Sequence, residues 1–446
     1  MRRLLPLLLL AAACGEEPGP AAAPPAGRAA DPRPDVVLVM LDTLRPDHLQ
    51  LYGYEKETSP FLAELGASSA VFERAISSSS WTAPAVTSIL TGLYPTGHGI
   101  IEGFLAFLRR DQRGQGEILP LNRLPEDVAT LPLLLRDAGF ATWGLAANLN
   151  VGPEIGLDRG FEHFEQLRKA DAAAIRARLE ALRSEIEAEA RPRFLYLHFM
   201  DPHEPYHRRR PWYEKQRGTV QDAAARYDSE IRFLDENLGA LYRELGWERD
   251  TLLVIVSDHG EEFREHGRTG HEFSLYGELN RVVFLVRPPG GMAGRRIDSR
   301  VSLIDVAPTV LALAGVPVPA GLDGMNLAPL IDGQADAPAA FAGRTLFAHR
   351  WQVLPEKAHL WAAVRGDEKL IAGPDGLEFY DLAADPGEHD DRYRRDLPAA
   401  AALLQALARF RGRGFRSTEK VEIGSDPALV QELQALGYVE EDGDGE

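Results

Sequence analysis

The sequence predicts an α/β protein, in which a mostly parallel central sheet is sandwiched by helices and is followed by a smaller C-terminal α+β subdomain with a short antiparallel sheet. Continuous apolar runs separated by helical segments predict the first part. Short alternating segments with turn residues between them, which begin after residue 340, predict the second. The chain has 446 residues, of which 45% are hydrophobic, and is long enough to bury such a core.

The apolar runs are predicted to be strands buried on both faces. They cover residues 35–41, 140–148, 193–201, 250–258 and 280–290. Helical patterns precede three of these runs, and one of the helices has a glycine stop at Gly246. Alternation of strand and helix over about 300 residues is typical of a parallel sheet covered by helices.

Composition also divides the chain into segments. The predicted division is a signal peptide with a lipobox (1–14), a Pro/Ala-rich linker (15–34), a catalytic domain (35–340), a C-terminal subdomain (341–438) and a disordered acidic tail (439–446).

The N-terminus predicts export to the bacterial cell envelope. Two arginines precede a short run of leucines and alanines, which is typical of a secretory signal and is too short to span a bilayer. Cys14, the only cysteine, stands where bacterial lipoproteins are cleaved and acylated, although Ala11 replaces the usual leucine. An ordinary signal cleaved after Ala13 is the alternative. We expect a lipoprotein, periplasmic or outer-membrane protein that contacts the membrane only through a lipid anchor at Cys14.

The charge balance argues against a nucleic-acid partner. The formal net charge is −18, and the longest basic run, 208–210, is short. Binding to a phosphate backbone requires clustered cations, which this chain lacks.

Polar residues follow three of the predicted strands. Asp42 comes directly after the first, Asp258 and His259 after the fourth, and Asp201 and His203 after the third. The carboxyl ends of parallel strands meet at one edge of a sheet, where ligands bind. One aspartate there is best explained as a helix cap, but two with an adjacent histidine favour a divalent metal. These donors suit Zn or Mn, with Ca or Mg as alternatives.

The stretch "SSSSWTAPAVTSILTG" (77–92) places hydroxyls before a helix, with Pro84 in the first turn. Thr82 would feel the positive end of that helix, which suits an anion or a nucleophile. Alternatively, Thr82 or Ser80 is only an N-cap.

Seven blocks in order along the chain carry a family resemblance. They include "VVLVMLDTLRPDHLQLYGY", "WTAPAVTSILTGLYPTGHG", "LYLHFMDPHEPY", "LLVIVSDHGEEFREHG" and "LEFYDLAADPGEHDD". Together they resemble the sulfatase family of the alkaline phosphatase superfamily, which implies an alkaline phosphatase-like fold and a metal-dependent hydrolase of sulfate or phosphate esters.

One motif departs from that family. Typical members read Cys (or Ser)-x-Pro-x-Arg and oxidise the first residue to formylglycine, whereas this chain reads Thr82-Ala83-Pro84-Ala85-Val86. Threonine would give a ketone, so no formylglycine is expected and Thr82 would attack directly. Related phosphodiesterases and phosphoryl transferases use a metal-bound threonine there, which shifts the expectation slightly toward phosphate mono- or diesters.

The resemblance also implies roles for individual residues. Asp42, Thr82, Asp258 and His259 match one metal centre with its nucleophile, while His203 and His271 would join Thr82 as catalytic residues facing the ester. Alternatively, Asp201, His203 and His271 hold a second metal.

The expected substrate is a small-molecule, glycan or lipid ester. The alternatives to hydrolysis are an envelope phospho-substituent transferase and a non-catalytic binding protein with the same fold.

Overall fold

The apolar runs of the sequence fold as neighbouring strands of one sheet in a computed structural model, which describes residues 31–104, 119–271, 273–351, 359–394 and 397–423. The predicted signal peptide with Cys14, most of the linker and the acidic tail lie outside these residues. Among the described residues, no helix is both long and apolar enough to cross a membrane.

The strands of the central sheet are β1 (Asp35–Leu41), β2 (Ala70–Phe72), β5 (Ala141–Ala146), β6 (His163–Gln166), β7 (Arg193–Phe199), β8 (Thr251–Ser257), β11 (Phe284–Arg287) and β12 (Arg295–Ile297). Short ribbons and the C-terminal sheet are formed by β3 (Ala75–Ile76), β4 (Leu119–Arg123), β9 (Glu262–Phe263), β10 (Thr269–Gly270), β13 (Val301–Ser302), β14 (Leu346–Trp351), β15 (His359–Arg365), β16 (Glu368–Gly373), β17 (Gly376–Asp381) and β18 (Glu419–Ile423).

The helices are α1 (Pro60–Gly66), α2 (Thr82–Thr91), α3 (Pro95–His98), α4 (Leu131–Asp137), α5 (Ala172–Ala188), α6 (Thr219–Glu244), α7 (Trp247–Asp250), α8 (Gly277–Asn280), α9 (Val306–Leu313), α10 (Ala328–Ile331), α11 (Ala337–Ala342) and α12 (Leu397–Arg411). Three single 3₁₀ turns lie at Pro46–His48, Gln50–Tyr52 and Leu303–Asp305.

The central sheet has the order β12-β2-β11-β8-β1-β7-β5-β6. Only β11 runs antiparallel to its neighbours among these strands, so the predicted mostly parallel sheet is confirmed.

Both faces of the sheet are buried, as the unbroken apolar runs predict. Successive β1 side chains alternate between two core clusters, with Leu38 on one face and Val39 on the other. Helices α2, α4 and α9 contribute to the cluster of Leu38, and α5 and α6 to that of Val39. Burial of each such side chain stabilises the fold by about 1.5–3 kcal/mol.

The C-terminal part contains a second sheet, as the shorter alternating segments predict. Strands β14 to β17 form a four-stranded antiparallel sheet. Leu403 and Leu407 of α12 pack on its Trp361 and Phe379. Strand β18 pairs with β4 in a separate two-stranded ribbon and so connects the end of the described chain to the N-terminal part.

Candidate active site

The carboxyl ends of three strands of the central sheet bring polar side chains together. Asp42 follows β1, Asp258 and His259 follow β8, and Asn148 lies two residues beyond β5. Strands β8, β1, β7 and β5 are parallel neighbours, so these residues share one edge of the sheet. Helix α2 begins at the same place with Thr82.

Asp42, Asp258 and His259 form a compact group. Each offers one ligand atom, these atoms lie within 4.8 Å of one another, and all three residues are fully buried. The Nε2 atom of His259 is 3.7 Å from Asp42 Oδ1 and 3.4 Å from Asp258 Oδ2. Its Nδ1 atom is 3.0 Å from the carbonyl oxygen of Gly260, which can only accept, so Nδ1 carries the proton and Nε2 offers a lone pair.

This group fits a divalent cation. Asp42 Oδ1 and Asp258 Oδ2 are buried, and neither has a hydrogen-bond partner among the described residues. Two carboxylate oxygens in that state need a compensating positive charge. Two carboxylates and an imidazole are a donor set that transition-metal ions such as Zn or Mn accept.

The two aspartates differ in proton affinity. Burial raises the pKa of Asp258 well above its ordinary value, and the negative charge of Asp42 adds to this. Burial would also raise the pKa of Asp42, but the hydrogen bond with His198 and the charges of nearby imidazoles hold that pKa below its ordinary value. Asp42 is therefore the ionised partner, and cation binding would displace the proton of Asp258.

Thr82 faces the centre. Its Oγ1 atom lies 3.3 Å from His259 Nε2 and 3.5 Å from Asn148 Nδ2. The N-cap residue of α2 is Trp81, and no side chain caps that terminus. The alternative that Thr82 or Ser80 serves as the N-cap is therefore wrong, and the Thr82 hydroxyl is directed to the polar cluster.

Two further residues hold Asp42 in place. Asn148 donates to Asp42 Oδ2 at 2.6 Å, and His198 Nε2 lies 3.1 Å from the same oxygen. His198 is in turn supported by the hydroxyl of Tyr196, 3.0 Å from its Nδ1. The sequence reasoning missed His198, although a histidine inside an otherwise apolar strand was the available signal.

His203 and His271 lie at the rim of the centre. The His271 ring centroid is 4.9 Å from that of His203 and 4.8 Å from that of His259. The Nδ1 atom of His271 lies 3.1 Å from Oε1 of Glu261, a fully buried carboxylate. Burial raises the pKa of Glu261 to about 7. Sequence reasoning missed Glu261, which stands three residues after Asp258 in "SDHGEEF".

Asp201 is engaged elsewhere. Its carboxylate accepts from the backbone N–H of Ala172, the first residue of α5, at 2.8 Å and from Arg209 at 3.0 Å. The predicted second-metal set of Asp201, His203 and His271 is not among the ligand clusters of the described residues. The Asp201 carboxylate is instead satisfied by the first N–H of helix α5 and by Arg209.

Comparison with known proteins identifies two matching family models and several relatives. The model of the family described as "Sulfatase" matches residues 34–316, and that of "N-sulphoglucosamine sulphohydrolase, C-terminal" matches residues 265–409. Human arylsulfatase A is 26% identical over 91% of this chain and 93% of its own length. An N-acetylglucosamine-6-O-sulfatase from Bacteroides thetaiotaomicron is 31% identical over 36% of this chain and 30% of its own.

Solved structures share the fold. One determined in complex with D-glucosamine-2-N,6-O-disulfate has a TM-score of 0.69 at 17% identity, covering 85% of this chain and 98% of the other. A phosphonate monoester hydrolase from Silicibacter pomeroyi also has a TM-score of 0.69, at 18% identity, covering 86% and 96%.

The family model over residues 34–316 and the similarity to arylsulfatase A along nearly the whole chain place this protein among the sulfuric ester hydrolases, and the solved structures share its alkaline phosphatase-like fold. Within that class, the chain belongs to the sulfatase family, because the family model spans more than half of its length.

Proposed function

We propose that this protein is a metal-dependent hydrolase of sulfate or phosphate esters in which Thr82 is the nucleophile. The observation that carries the proposal is the position of the Thr82 hydroxyl, at the start of a buried helix and 3.3 Å from His259. Asp42, Asp258 and His259 would hold the cation, with Thr82 as the fourth ligand.

A bound divalent cation would lower the pKa of the Thr82 hydroxyl and neutralise charge on the ester. Asn148 orients that hydroxyl through its amide, which also fixes Asp42. Thr82 Oγ1 would then lose its proton to solvent and attack the sulfur or phosphorus in line. A covalent ester forms on Thr82 while the bond to the ester oxygen breaks, and the departing oxygen takes up a proton from water and leaves as the alcohol. Water breaks this covalent ester and regenerates Thr82.

The rim residues act on the substrate side. Nδ1 of His203 lies 2.6 Å from the Glu204 carbonyl and Nδ1 of His271 faces Glu261, so each ring would donate from Nε2 only as an imidazolium. In that protonated form, both rings would donate hydrogen bonds to the non-bridging oxygens, whose charge grows during attack. Glu261 accepts a hydrogen bond from Nδ1 of His271 and thereby leaves Nε2 of that ring directed to the substrate.

Replacement of the formylglycine position by threonine slightly favours phosphate mono- or diesters over sulfate, because the related phosphodiesterases and phosphoryl transferases use a metal-bound threonine at this position. The fold alone does not separate these substrates, since its solved neighbours include both sulfatases and phosphonate monoester hydrolases. Zn or Mn is the cation we expect from the donor set.

The same proposal includes the predicted segment boundaries and export to the cell envelope through the signal sequence and Cys14. Fractionation of cells that make the wild type or Cys14→Ala tests this part, and release of the variant from the membrane fraction is the expected result.

The test of the nucleophile is Thr82→Ala, assayed on nitrophenyl sulfate, phosphate monoester, phosphate diester and phosphonate. We expect turnover to fall at least about a thousandfold while bound metal and the thermal midpoint are retained. Thr87→Ala is the matched control, since Thr87 lies on the same helix and donates to the Ala83 carbonyl. Activity of Thr82→Ala near that of Thr87→Ala would refute the assignment. Faster sulfate than phosphate turnover in the wild type would reverse the substrate ranking.

A further inference from the structure

A cavity of about 660 Å³ opens beside the rim of the active site. Its lining includes Glu204, which directly follows His203, and Gly270, which directly precedes His271. A methyl group placed on Gly270 would lie 3.8 Å from the carboxylates of both Glu204 and Glu261. The cavity and the catalytic rim therefore share one wall.

Part of the cavity lining is aromatic. The rings of Tyr206 and Phe263 lie 5.6 Å apart, and both contact Tyr227 behind them. Burial and the charge of Glu261 raise the pKa of Tyr206 well above its ordinary value, which keeps its hydroxyl neutral. A neutral aromatic wall of this kind suits the face of a sugar or another ring.

The lining also carries cations. Lys215, Arg226 and Arg264 line the cavity with two acids, Glu204 and Asp222. Arg226 is paired with Asp222 at 2.6 Å. Within the described parts of the chain, the charged ends of Lys215 and Arg264 have no ion pair or hydrogen bond. In a chain of net charge −18, these two cations give the cavity a local preference for anions.

The backbone at Arg264 adds an independent observation. Its φ angle is 71°, in the left-handed region that glycine adopts freely and other residues rarely do. Its N–H donates to the carbonyl of Arg268 in the turn that joins β9 and β10. Strained residues cluster at ligand-contacting sites, so an arginine in a position suited to glycine points to a role for its side chain.

We propose that this cavity is a subsite for a second anionic group, a sulfate or a carboxylate, on a ring linked to the one whose ester is cleaved. The substrate is then a molecule with at least two anionic groups, its second ring against Tyr206 and Phe263 and its second charge near Lys215 and Arg264. The inference that the bound molecule is a substrate rests on the proposed ester hydrolysis, whereas binding of the anion in the cavity does not depend on it.

The test uses disaccharides that carry one cleavable ester and differ only in the second ring, which is uncharged, carboxylated or sulfated. Binding is measured by calorimetry on Thr82→Ala, and turnover on the wild type. The variants are Arg264→Gly, Lys215→Ala and their combination. Arg249→Ala, next to the N-terminal end of β8 at the opposite edge of the sheet, is the control.

We expect the wild type to prefer the doubly anionic sugars by about tenfold and the double variant to lose this preference, mainly through KM. The preference should shrink with added salt. Arg264→Gly should keep or raise the thermal midpoint, because glycine relieves the left-handed strain. Comparison of the carboxylated with the sulfated disaccharide shows which anion the subsite accepts.

An equal preference in the double variant and the wild type, or no preference in the wild type, would overturn the subsite. If the wild type hydrolyses no ester while binding still depends on Arg264 and Lys215, the proposed function fails and the subsite stands. If the wild type hydrolyses esters and none of these variants changes binding or turnover, the subsite fails and the proposed function stands.

Discussion

Asp258→Asn should stabilise the metal-free protein while abolishing its stabilisation by metal. The ligand atoms of Asp42 and Asp258 lie within 4.8 Å of each other. Two full charges at that distance repel by about 3 kcal/mol at an effective dielectric constant of ~20. Asparagine removes one charge and keeps a carbonyl oxygen for the N–H groups of Thr43 and His259, which now donate to Asp258 Oδ1. The oxygen that becomes an amide has no hydrogen-bond partner to lose among the described residues.

The sign of the pH dependence follows from the raised pKa of Asp258. Between its unfolded and folded pKa values the folded state binds more protons, so the metal-free wild type loses stability as pH rises. The variant lacks this loss. Its advantage should therefore be small at pH 5 and grow toward pH 8.

The assay is thermal unfolding in chelator and in Mn²⁺ or Zn²⁺, at pH 5 and pH 8. In chelator at pH 8 we expect the variant to unfold at least a few degrees above the wild type. A cation at 100 times its Kd should stabilise the wild type by about 2.7 kcal/mol and the variant hardly at all.

Asp235→Asn is the matched control for this experiment. Asp235 is a buried carboxylate with a pKa raised by burial to about 6, but both of its oxygens accept backbone N–H groups, from Phe61 and Leu62. Its asparagine variant should be destabilised and should respond normally to metal. An Asp258→Asn protein that is less stable than the wild type in chelator at pH 8, or that keeps the full metal response, would refute the reasoning.

Two other variants probe the rim and the C-terminal subdomain. Glu261→Gln should lower kcat by about tenfold with little change in KM, because His271 loses a charged partner; steady-state kinetics with poor and good leaving groups measure this, and an unchanged kcat would contradict it. Lys369→Met should destabilise the protein by about 3–5 kcal/mol, because it leaves buried Glu388 without the ammonium now 2.7 Å away. Urea unfolding measures the second effect, and a loss below about 1 kcal/mol would count against it.

The apolar runs were sufficient to predict the sheet. A strand such as β1, with no polar residue between Asp35 and Asp42, can be buried on both faces only when helices cover both, and this determines the layer arrangement. The same logic predicted that Asp42 and Asp258 would meet, because parallel neighbours end at one edge.

The residues that hold Asp42 and His271 in place could not be predicted from the sequence. His198 and Glu261 are these residues, and they make their contacts across distances of 156 and 10 positions in the chain. Which residues face each other across such separations depends on strand order and on the turn between β9 and β10, and neither can be read from a local pattern.

The sequence by itself determined the fold class through its apolar runs and the family through motif blocks spread along the chain. It also predicted that Asp42, Asp258 and His259 would meet, because all three stand at the ends of recognisable strands. Only the tertiary structure decided what Thr82 and Asp201 contact. Thr82 faces His259 because α2 begins at the sheet edge, and Asp201 is bound to Arg209 and to the start of α5 because a carboxylate forms hydrogen bonds with the donors that packing brings nearest.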